Sequence, residues 1–331
     1  MTHEFHAIAR AHSNIAFIKY WGNRDDVLRL PVNSSISMNL KDLHTTTSVT
    51  WSADAQADTL MINGTPAEIV AVDRVHKQLQ IIRERFDVTM FAEVESVNNF
   101  PMGTGIASSA ASFSALTFAA VAALGETLTE RELSTIARCG SGSASRSIPA
   151  GYVEWYAGDT HENSYAETFV DADHWDLVDV IAIVSKRHKR TGSSAGHPTA
   201  KTSILQSVRV EHADDRLQVV KDAILQRDFE AFAHVVEQDS DLMHAVMMTS
   251  NPPLFYWEPT SLEIMKTIRE ERTSNNLQAC YTLDAGPNVH CICAKEDANR
   301  VISLLQGISD DIEIRISPAG GGAHLVPSLE A

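Results

Sequence analysis

The sequence predicts a mixed α+β protein that divides into two domains. Strand and helix patterns follow one another irregularly along the 331 residues, without the repeated strand–helix–strand order of a parallel sheet. No internal repeat or low-complexity tract interrupts them, and a polar stretch at 186–202 follows the last strand pattern of the first half. We therefore expect an N-terminal domain at 1–185 and a C-terminal domain at 186–331.

Segments rich in β-branched residues predict the strands, and apolar residues at helical spacing predict the helices. In chain order, strands are expected at 45–51, 59–62, 89–94, 152–155, 178–185, 279–283 and 289–294. Helices are expected at 72–85, 107–124, 131–139, 214–226, 229–245, 260–273 and 297–305. A triple glycine at 320–322 leaves two interpretations open, the wall of a ligand pocket or a flexible tail.

The net charge of the chain excludes some partners. Lys and Arg number 27 and Asp and Glu 43, so the formal net charge is −16. Such a chain repels nucleic acid and anionic lipid, and an anionic ligand must be held by local cations and backbone N–H groups. The four cysteines form no CxxC pair, and neither a signal peptide at 1–10 nor a long apolar segment is evident. We expect a cytoplasmic protein.

The segment 101–110, PMGTGIASSA, runs from a glycine-rich turn into a helix. Glycines let the backbone approach a ligand closely, and a helix start offers free N–H groups and a positive dipole end. Together these features suit a phosphate group, although an ordinary glycine loop with a serine cap is an equal alternative from physics alone. The loop is not a Walker A motif, because no Gly-Lys-Ser/Thr follows.

This segment resembles the ATP loop of the GHMP small-molecule kinases, with Ile106 in the usual leucine position. The resemblance implies the GHMP fold, two α/β domains with the active site in the cleft between them. It also implies ATP and Mg²⁺ as cofactors. The residues expected to bind ATP are Ser96, Asn98, Pro101, Gly103, Thr104, Gly105, Ile106, Ala107, Ser108 and Ser109.

Three further segments are similar to the diphosphomevalonate decarboxylases of this superfamily. They are 14–22 with 31–37, 137–147, and 281–289, in the same order over nearly the whole chain. The resemblance implies an enzyme that phosphorylates the tertiary C3 hydroxyl of a mevalonate phosphate with ATP and then releases phosphate and CO₂. It also implies a homodimer.

The same resemblance assigns three catalytic residues. Asp284, fixed by a tight turn before Gly286, is expected to be the base for the C3 hydroxyl. Arg146 is expected to clamp the C1 carboxylate, and Lys19 to supply positive charge near the reacting groups. Without the family match, a turn-forming Asp, a surface Arg and a half-buried Lys would be the ordinary interpretations.

The residues expected to bind the substrate surround these three. They are Tyr20, Asn23, Ser141, Gly142, Ser143, Arg146, Ser193 and Ser194. No dedicated metal site is expected, because nucleotide phosphates supply much of the Mg²⁺ coordination; Ser109 and Asp284 are candidates to assist.

Two positions depart from the pattern of the family. Diphosphomevalonate decarboxylases usually carry a lysine where this chain has Asn23, and an arginine where our alignment puts Ser194. Two missing cations predict a smaller anion, since a phosphate monoester carries about −1.5 to −2 charges. We therefore expect mevalonate 5-phosphate as substrate and isopentenyl phosphate as product. The alternatives are a diphosphate enzyme that uses other cations (Arg187, Lys189, Arg190 or Lys201), a GHMP kinase without decarboxylation, and an inactive ligand-binding homologue.

Overall fold

The computed structural model describes residues 5–100, 108–185 and 192–330. The elements up to residue 170 are β1 (His6–Ile18), β2 (Asn23–Asp25), β3 (Leu30–Pro31), β4 (Ser35–Ser52), β5 (Thr59–Ile62), β6 (Thr65–Pro66), α1 (Ile69–Phe86), β7 (Phe91–Asn98), α2 (Ser108–Ala123), α3 (Glu130–Gly140), β8 (Tyr152–Trp155) and β9 (Ala166–Val170). The later elements are β10 (Leu177–Ile183), α4 (Ser193–Gly196), α5 (Gln206–Glu211), α6 (Ala213–Gln226), α7 (Phe229–Thr249), α8 (Pro259–Asn275), β11 (Ala279–Thr282), β12 (Val289–Ala294), α9 (Ala298–Ile308), β13 (Glu313–Pro318) and β14 (His324–Leu325).

Two main sheets organise these elements, which confirms the α+β expectation. The larger sheet has the order β14-β1-β4-β7-β5-β6, with β8 added beside β4 and β9 beside β8. The smaller sheet has the order β11-β12-β10-β13. Strand β10 pairs with β12 and β13, which both come from the second half of the chain. Because β10 precedes residue 185, the smaller sheet contains strands from both sides of the predicted boundary. The domain division at 185 stays a prediction.

The longest pairing joins β1 to β4 and carries the chain into the site. The two strands run antiparallel from the His6–Thr50 pair to the Ile18–Ile36 pair, with two register shifts. Helices α1, α2 and α3 cover the larger sheet, where Trp51, Leu79 and Leu116 belong to one buried cluster. A second cluster joins the end of β1 to the later helices, and the ring centroids of Phe17 and Phe232 lie 4.8 Å apart.

The helix α3 shows how local sequence fixes a functional segment. It begins at a capping box in which the Glu132 N–H donates to Thr129 Oγ1 and the Thr129 N–H donates to the Glu132 carboxylate. It ends at Gly140, and a short 3₁₀ helix, Gly142–Ser147, follows at once. The capping box fixes where α3 begins, and the 3₁₀ helix follows one residue after α3 ends. The position of Gly142 is therefore set by α3.

Strand β1 was not predicted, because its residues are buried on both faces in its second half and show no polar alternation. The triple glycine is not a flexible tail, while its place in a pocket wall stays a prediction. The Gly320 N–H donates to the Asn39 carbonyl, and the Gly151 N–H donates to the Gly320 carbonyl. A Cβ at Gly320 would lie 2.6 Å from the Lys41 backbone nitrogen, so this segment packs against β4. Within the described residues, no helix is both long and apolar enough to cross a membrane.

Candidate active site

A polar cavity opens where β1 ends. Its empty space, including the part open to solvent, is about 650 Å³. Three consecutive residues after β1 line it, namely Lys19, Tyr20 and Trp21. The other predicted residues in its wall are Ser109, Ser141, Gly142, Ser143, Arg146, Ser193, Ser194 and Asp284. Residues from both halves of the chain thus meet around one cavity.

Lys19 and Asp284 form an ion pair at the base of this cavity. Lys19 Nζ lies 2.7 Å from Asp284 Oδ1, and the Lys19 side chain is 1% exposed while that of Asp284 is 27% exposed. Burial lowers the pKa of Lys19, although Asp284 opposes that effect. Burial alone would raise the pKa of Asp284, but the charge and hydrogen bond of Lys19, together with the charges of His290 and Arg146, outweigh it and the pKa lies below its usual value. Asp284 is therefore ionised at neutral pH and can accept a proton.

Contacts from other elements hold both members of this pair. The Lys19 N–H donates to Asp239 Oδ2 on α7 over 2.6 Å, and Arg216 Nε donates to the other carboxylate oxygen over 2.8 Å. After β11, the Gly286 N–H donates to the Asp284 carbonyl over 2.7 Å. This tight turn was predicted from the sequence, and it leaves the Asp284 side chain directed at Lys19.

Arg146 is a buried cation held by neutral oxygens. Its Nη1 donates to Ser35 Oγ over 2.8 Å, and its Nε and Nη2 donate to Asn14 Oδ1 over 3.3 and 3.2 Å. Burial lowers the pKa of Arg146 to about 10, so the guanidinium stays charged at neutral pH. No carboxylate of the described residues forms an ion pair with Arg146, and this leaves its charge available to an anion in the cavity. The supporting roles of Asn14 and Ser35 were not predicted, although both lie in a family-like segment.

The segment after α3 lies very close to the ring of Tyr20. A Cβ at Gly142 would lie 2.4 Å from Tyr20 Cε1, so only glycine fits there without displacing the ring. Ser141 Oγ lies 3.0 Å from Ser109 Oγ in the first turn of α2. This contact connects the cavity to the helix that follows the glycine-rich loop.

Among the cavity residues that were not predicted, His197 and Arg29 carry titratable side chains. The His197 ring stacks on Tyr20 with centroids 4.1 Å apart, and its Nδ1 accepts the Gly22 N–H over 3.0 Å. Burial, followed by the charge of Arg29, lowers the pKa of His197 to about 3. The ring is therefore neutral with its proton on Nε2. No sequence motif indicated either residue, because their places depend on stacking and on a turn conformation.

A second, mostly apolar cavity adjoins the first. Its polar wall contains Ser96, Asn98, Ser108 and Ser109, all four of which were expected to bind ATP. Its apolar wall includes Leu60, Val94 and Leu116 from β5, β7 and α2. Ser109 lines both cavities.

Family models match most of the chain. Residues 11–166 match a diphosphomevalonate decarboxylase-like N-terminal domain, and residues 179–315 match a mevalonate 5-diphosphate decarboxylase C-terminal domain. The chain belongs to the diphosphomevalonate decarboxylase family. These are carboxy-lyases of the GHMP kinase superfamily, as the sequence resemblance implied.

Named relatives and solved structures agree with this family. The diphosphomevalonate decarboxylase of Ganoderma lucidum is 37% identical over 91% of this chain and 81% of the relative, and that of Candida albicans is 39% identical over 91% and 88%. The mevalonate diphosphate decarboxylase structure from Staphylococcus aureus superposes with a TM-score of 0.92 at 34% identity, covering 97% of this chain and 98% of that one. One from Enterococcus faecalis gives 0.91 at 33% identity, covering 98% and 99%. These structures confirm the expected GHMP-type fold.

The names of these family members all specify the diphosphate. The comparisons therefore support the alternative expectation, mevalonate 5-diphosphate, better than the monophosphate that we expected from Asn23 and Ser194. A further structure with a TM-score of 0.92 and 34% identity, covering 98% and 99% of the two chains, is a complex with MVAPP, AMPPCP and magnesium.

In this family member, one predicted substrate residue lies outside the cavity wall. Asn23 does not line the cavity, because its Oδ1 accepts the Tyr20 hydroxyl proton and its Nδ2 donates to Asp26 Oδ1 over 2.9 Å. Ser193 and Ser194 do line it. The predicted ATP residues Pro101, Gly103, Thr104, Gly105, Ile106 and Ala107 lie outside the described residues, as do the alternative cations Arg187, Lys189 and Arg190.

The two residues expected to assist Mg²⁺ lie in the first cavity. Ser109 and Asp284 both line it, and Asp284 offers a carboxylate oxygen. Across residues 5–100, 108–185 and 192–330, no group of three or more His, Cys, Asp or Glu side chains is arranged to hold a metal. Carboxylate and hydroxyl oxygens of this kind are donors that Mg²⁺ accepts.

Proposed function

We propose that this protein is an ATP-dependent decarboxylase of mevalonate 5-phosphate, and that Asp284 is its catalytic base. The observation that carries the decarboxylase assignment is the buried Lys19–Asp284 pair beside the unpaired Arg146 charge. An ionised carboxylate can take the C3 hydroxyl proton while that oxygen attacks the γ-phosphorus. The unpaired guanidinium can hold the C1 carboxylate of the same molecule.

The proposed reaction has two stages. First, the C3 oxygen gains the γ-phosphoryl group, ADP leaves, and the hydroxyl proton passes to Asp284. Second, the C3–O bond breaks with its electrons on phosphate, and the C1–C2 electrons form the C2=C3 double bond as CO₂ leaves. The Lys19 charge, next to Asp284, would stabilise the transferred phosphoryl group and the departing phosphate. The products are isopentenyl phosphate, ADP, phosphate and CO₂.

The second cavity is proposed as the ATP site. Its apolar wall suits the adenine ring, and Ser108 and Ser109 at the start of α2 suit the phosphates. Mg²⁺ bound with the nucleotide supplies charge neutralisation for phosphoryl transfer. Because Ser109 lines both cavities, the γ-phosphate would face Asp284 and Lys19 from that side.

The monophosphate is favoured by the charges around the cavity. Among the described residues, only Lys19, Arg29 and Arg146 are cations in its wall, and the first and last face the reacting groups. Asn23 carries no charge, and both ends of its amide are used by Tyr20 and Asp26. A diphosphate carries roughly one more negative charge than a monophosphate, and each charge-assisted hydrogen bond is worth about 1.5–3 kcal/mol.

The second candidate function is decarboxylation of mevalonate 5-diphosphate to isopentenyl diphosphate. It is favoured by the names of the relatives and structures, all of which specify the diphosphate. It needs cations beyond Lys19 and Arg146, such as Arg29 with Arg74 and Lys77 of the adjoining cavity, or Arg187, Lys189 and Arg190.

A direct assay separates these functions. Purified protein is mixed with ATP, Mg²⁺ and either (R)-mevalonate 5-phosphate or its 5-diphosphate, and the release of ADP and CO₂ is followed. We expect kcat/KM for the monophosphate to exceed that for the diphosphate at least about tenfold, the effect of one lost charge-assisted contact. Equal or reversed values would leave the diphosphate function in place. ADP release without CO₂ would instead indicate a GHMP kinase, and no release of either an inactive homologue.

A homodimer is also proposed, and it rests on the family resemblance alone. Analytical ultracentrifugation of the purified chain, of 36.3 kDa, separates a dimer from a monomer by mass.

A further inference from the structure

The hairpin of β2 and β3 carries an unusual backbone conformation at Arg29. Its φ is +50°, in the left-handed region that residues other than glycine rarely adopt. The turn before it is fixed by Asp25, whose Oδ1 accepts the N–H groups of Val27 and Leu28 over 2.8 Å each. A strained backbone angle in a firmly held turn is a reason to ask what the side chain does.

The turn is also tied to α3, and so is the Arg29 side chain. Arg138 Nε donates to the Leu28 carbonyl over 2.9 Å, and Arg29 Nε donates to the Cys139 carbonyl over 2.9 Å. These two contacts direct the Arg29 guanidinium into the wall of the polar cavity, next to the 3₁₀ segment that starts at Gly142.

The Arg29 charge has no counter-ion in the described part of the chain. Of the carboxylates there, none forms an ion pair with its guanidinium, and the hydrogen bond through Nε leaves both Nη groups as donors. Arg29 also lines a small adjoining cavity with two more cations, Arg74 and Lys77. An unpaired guanidinium beside further positive charge favours an anion.

We propose that Arg29 recognises the phosphate on C5 of the substrate and supplies the cation that position 23 lacks. This inference rests on the proposed function, in which the substrate is a 5-phosphorylated mevalonate. The Asn23 amide carries no charge, and its oxygen and one of its two N–H groups are already bonded to Tyr20 and Asp26. The Arg29 fork can bind two phosphate oxygens at once, and serine hydroxyls from Ser141 and Ser193 line the same cavity.

His197 adds a donor of a different kind at this end of the cavity. Because its Nδ1 accepts the Gly22 N–H, Nε2–H is the polar group that the ring can offer to a ligand. It contributes a hydrogen bond without a second charge. One guanidinium with neutral donors matches a single phosphate group better than a diphosphate.

The test is the variant Arg29→Asn. Asparagine tolerates the left-handed conformation, so the turn should keep its shape while the cation is lost. We expect KM for mevalonate 5-phosphate to rise about 10- to 150-fold, the range for one charge-assisted contact. KM for ATP and kcat should stay within about threefold of wild type, since the Arg29 side chain is hydrogen-bonded to the Cys139 carbonyl and, within the described residues, not to Lys19, Asp284 or Arg146.

Arg24→Asn is the matched control. Arg24 is an exposed cation on β2 of the same hairpin and does not line the cavity. Arg24→Asn changes the net charge by the same amount as Arg29→Asn. Because Arg24 lies outside the cavity wall, the KM values of this variant should remain those of wild type. The proposal is overturned if Arg29→Asn leaves KM for both phosphorylated substrates unchanged, or if KM for ATP rises in parallel, which would indicate general disruption.

These outcomes are independent of the substrate assignment. If wild type prefers the diphosphate, the monophosphate function fails, while a rise in KM for the diphosphate in Arg29→Asn still supports phosphate recognition by Arg29. If wild type prefers the monophosphate and Arg29→Asn has normal KM values, only the role of Arg29 fails.

Discussion

The charged side chains in the wall of the polar cavity are held in two different ways. We call the part around Lys19, Asp284 and Arg146 the reacting end, and the part around Arg29 the other end. At the reacting end, Lys19, Asp284 and Arg146 are enclosed by contacts from β1, α7 and the segment after α3, and Lys19 and Arg146 are almost fully buried. At the other end, Arg29 is half-buried on a short hairpin and Asn23 is neutral. The reacting end follows the family resemblance, and the other end departs from it. We therefore expect that substitutions at the reacting end alter kcat, and that substitutions at the other end alter the choice of substrate.

Asp284→Asn should have the largest effect, because it removes the proposed base and leaves the phosphate-binding residues unchanged. Asparagine keeps the shape but cannot take the C3 hydroxyl proton, so we expect kcat to fall about 10²- to 10⁴-fold, the usual contribution of a general base. KM for both phosphorylated substrates should change little. Steady-state ADP and CO₂ release measures both quantities. Asp54→Asn, at an exposed position, is the control, and a kcat near wild type in Asp284→Asn would refute the proposed base.

Lys19→Met tests the charge that keeps Asp284 ionised. The Lys19 charge holds the pKa of Asp284 below its usual value, and the protonated acid is inactive as a base. Losing that charge raises the pKa of Asp284 by about one to three units, so activity should begin to fall at a correspondingly higher pH. The acid limb of the kcat–pH profile reports this shift. An acid limb in the same place as that of wild type would contradict the coupling.

Arg146→Lys keeps the positive charge but removes the planar fork. A lysine cannot reach Ser35, Asn14 and a substrate carboxylate together, so one charge-assisted contact should be lost. We expect kcat/KM to fall about 10- to 150-fold for both phosphorylated substrates alike. Circular dichroism melting of the variant controls for folding, and a fall for one substrate only would place Arg146 at the wrong end of the cavity.

Much of this contrast could be predicted from the sequence, but unevenly. The turn that fixes Asp284 and the helix that ends before Ser141 follow from local patterns. The meeting of Lys19 with Asp284, 265 residues apart, followed from the resemblance and not from periodicity. Arg29 and His197 were missed because a left-handed turn and ring stacking depend on tertiary contacts that no spacing rule encodes.

The substrate-binding role expected of Asn23 stays a prediction, but the structure shows where its side chain points. The sequence places it among the substrate residues, yet its amide is turned toward Tyr20 and Asp26 and does not line the cavity. Alignment assigns a position in the chain, but the direction of a side chain depends on its hydrogen-bond partners.

Asn23→Lys should give the smallest effect and sharpens the comparison between the ends. The new residue would lose the contact with Tyr20 but would add a positive charge on the hairpin that carries Arg29. The ratio of kcat/KM for the diphosphate to that for the monophosphate should rise about tenfold, toward the lower limit for one charge-assisted contact. Asn23→Ala removes the same amide without adding charge, so it should leave that ratio unchanged. If both variants shift the ratio equally, the loss of the Tyr20 contact is the cause. If neither does, position 23 has no part in substrate choice, and the cations that select the substrate lie elsewhere.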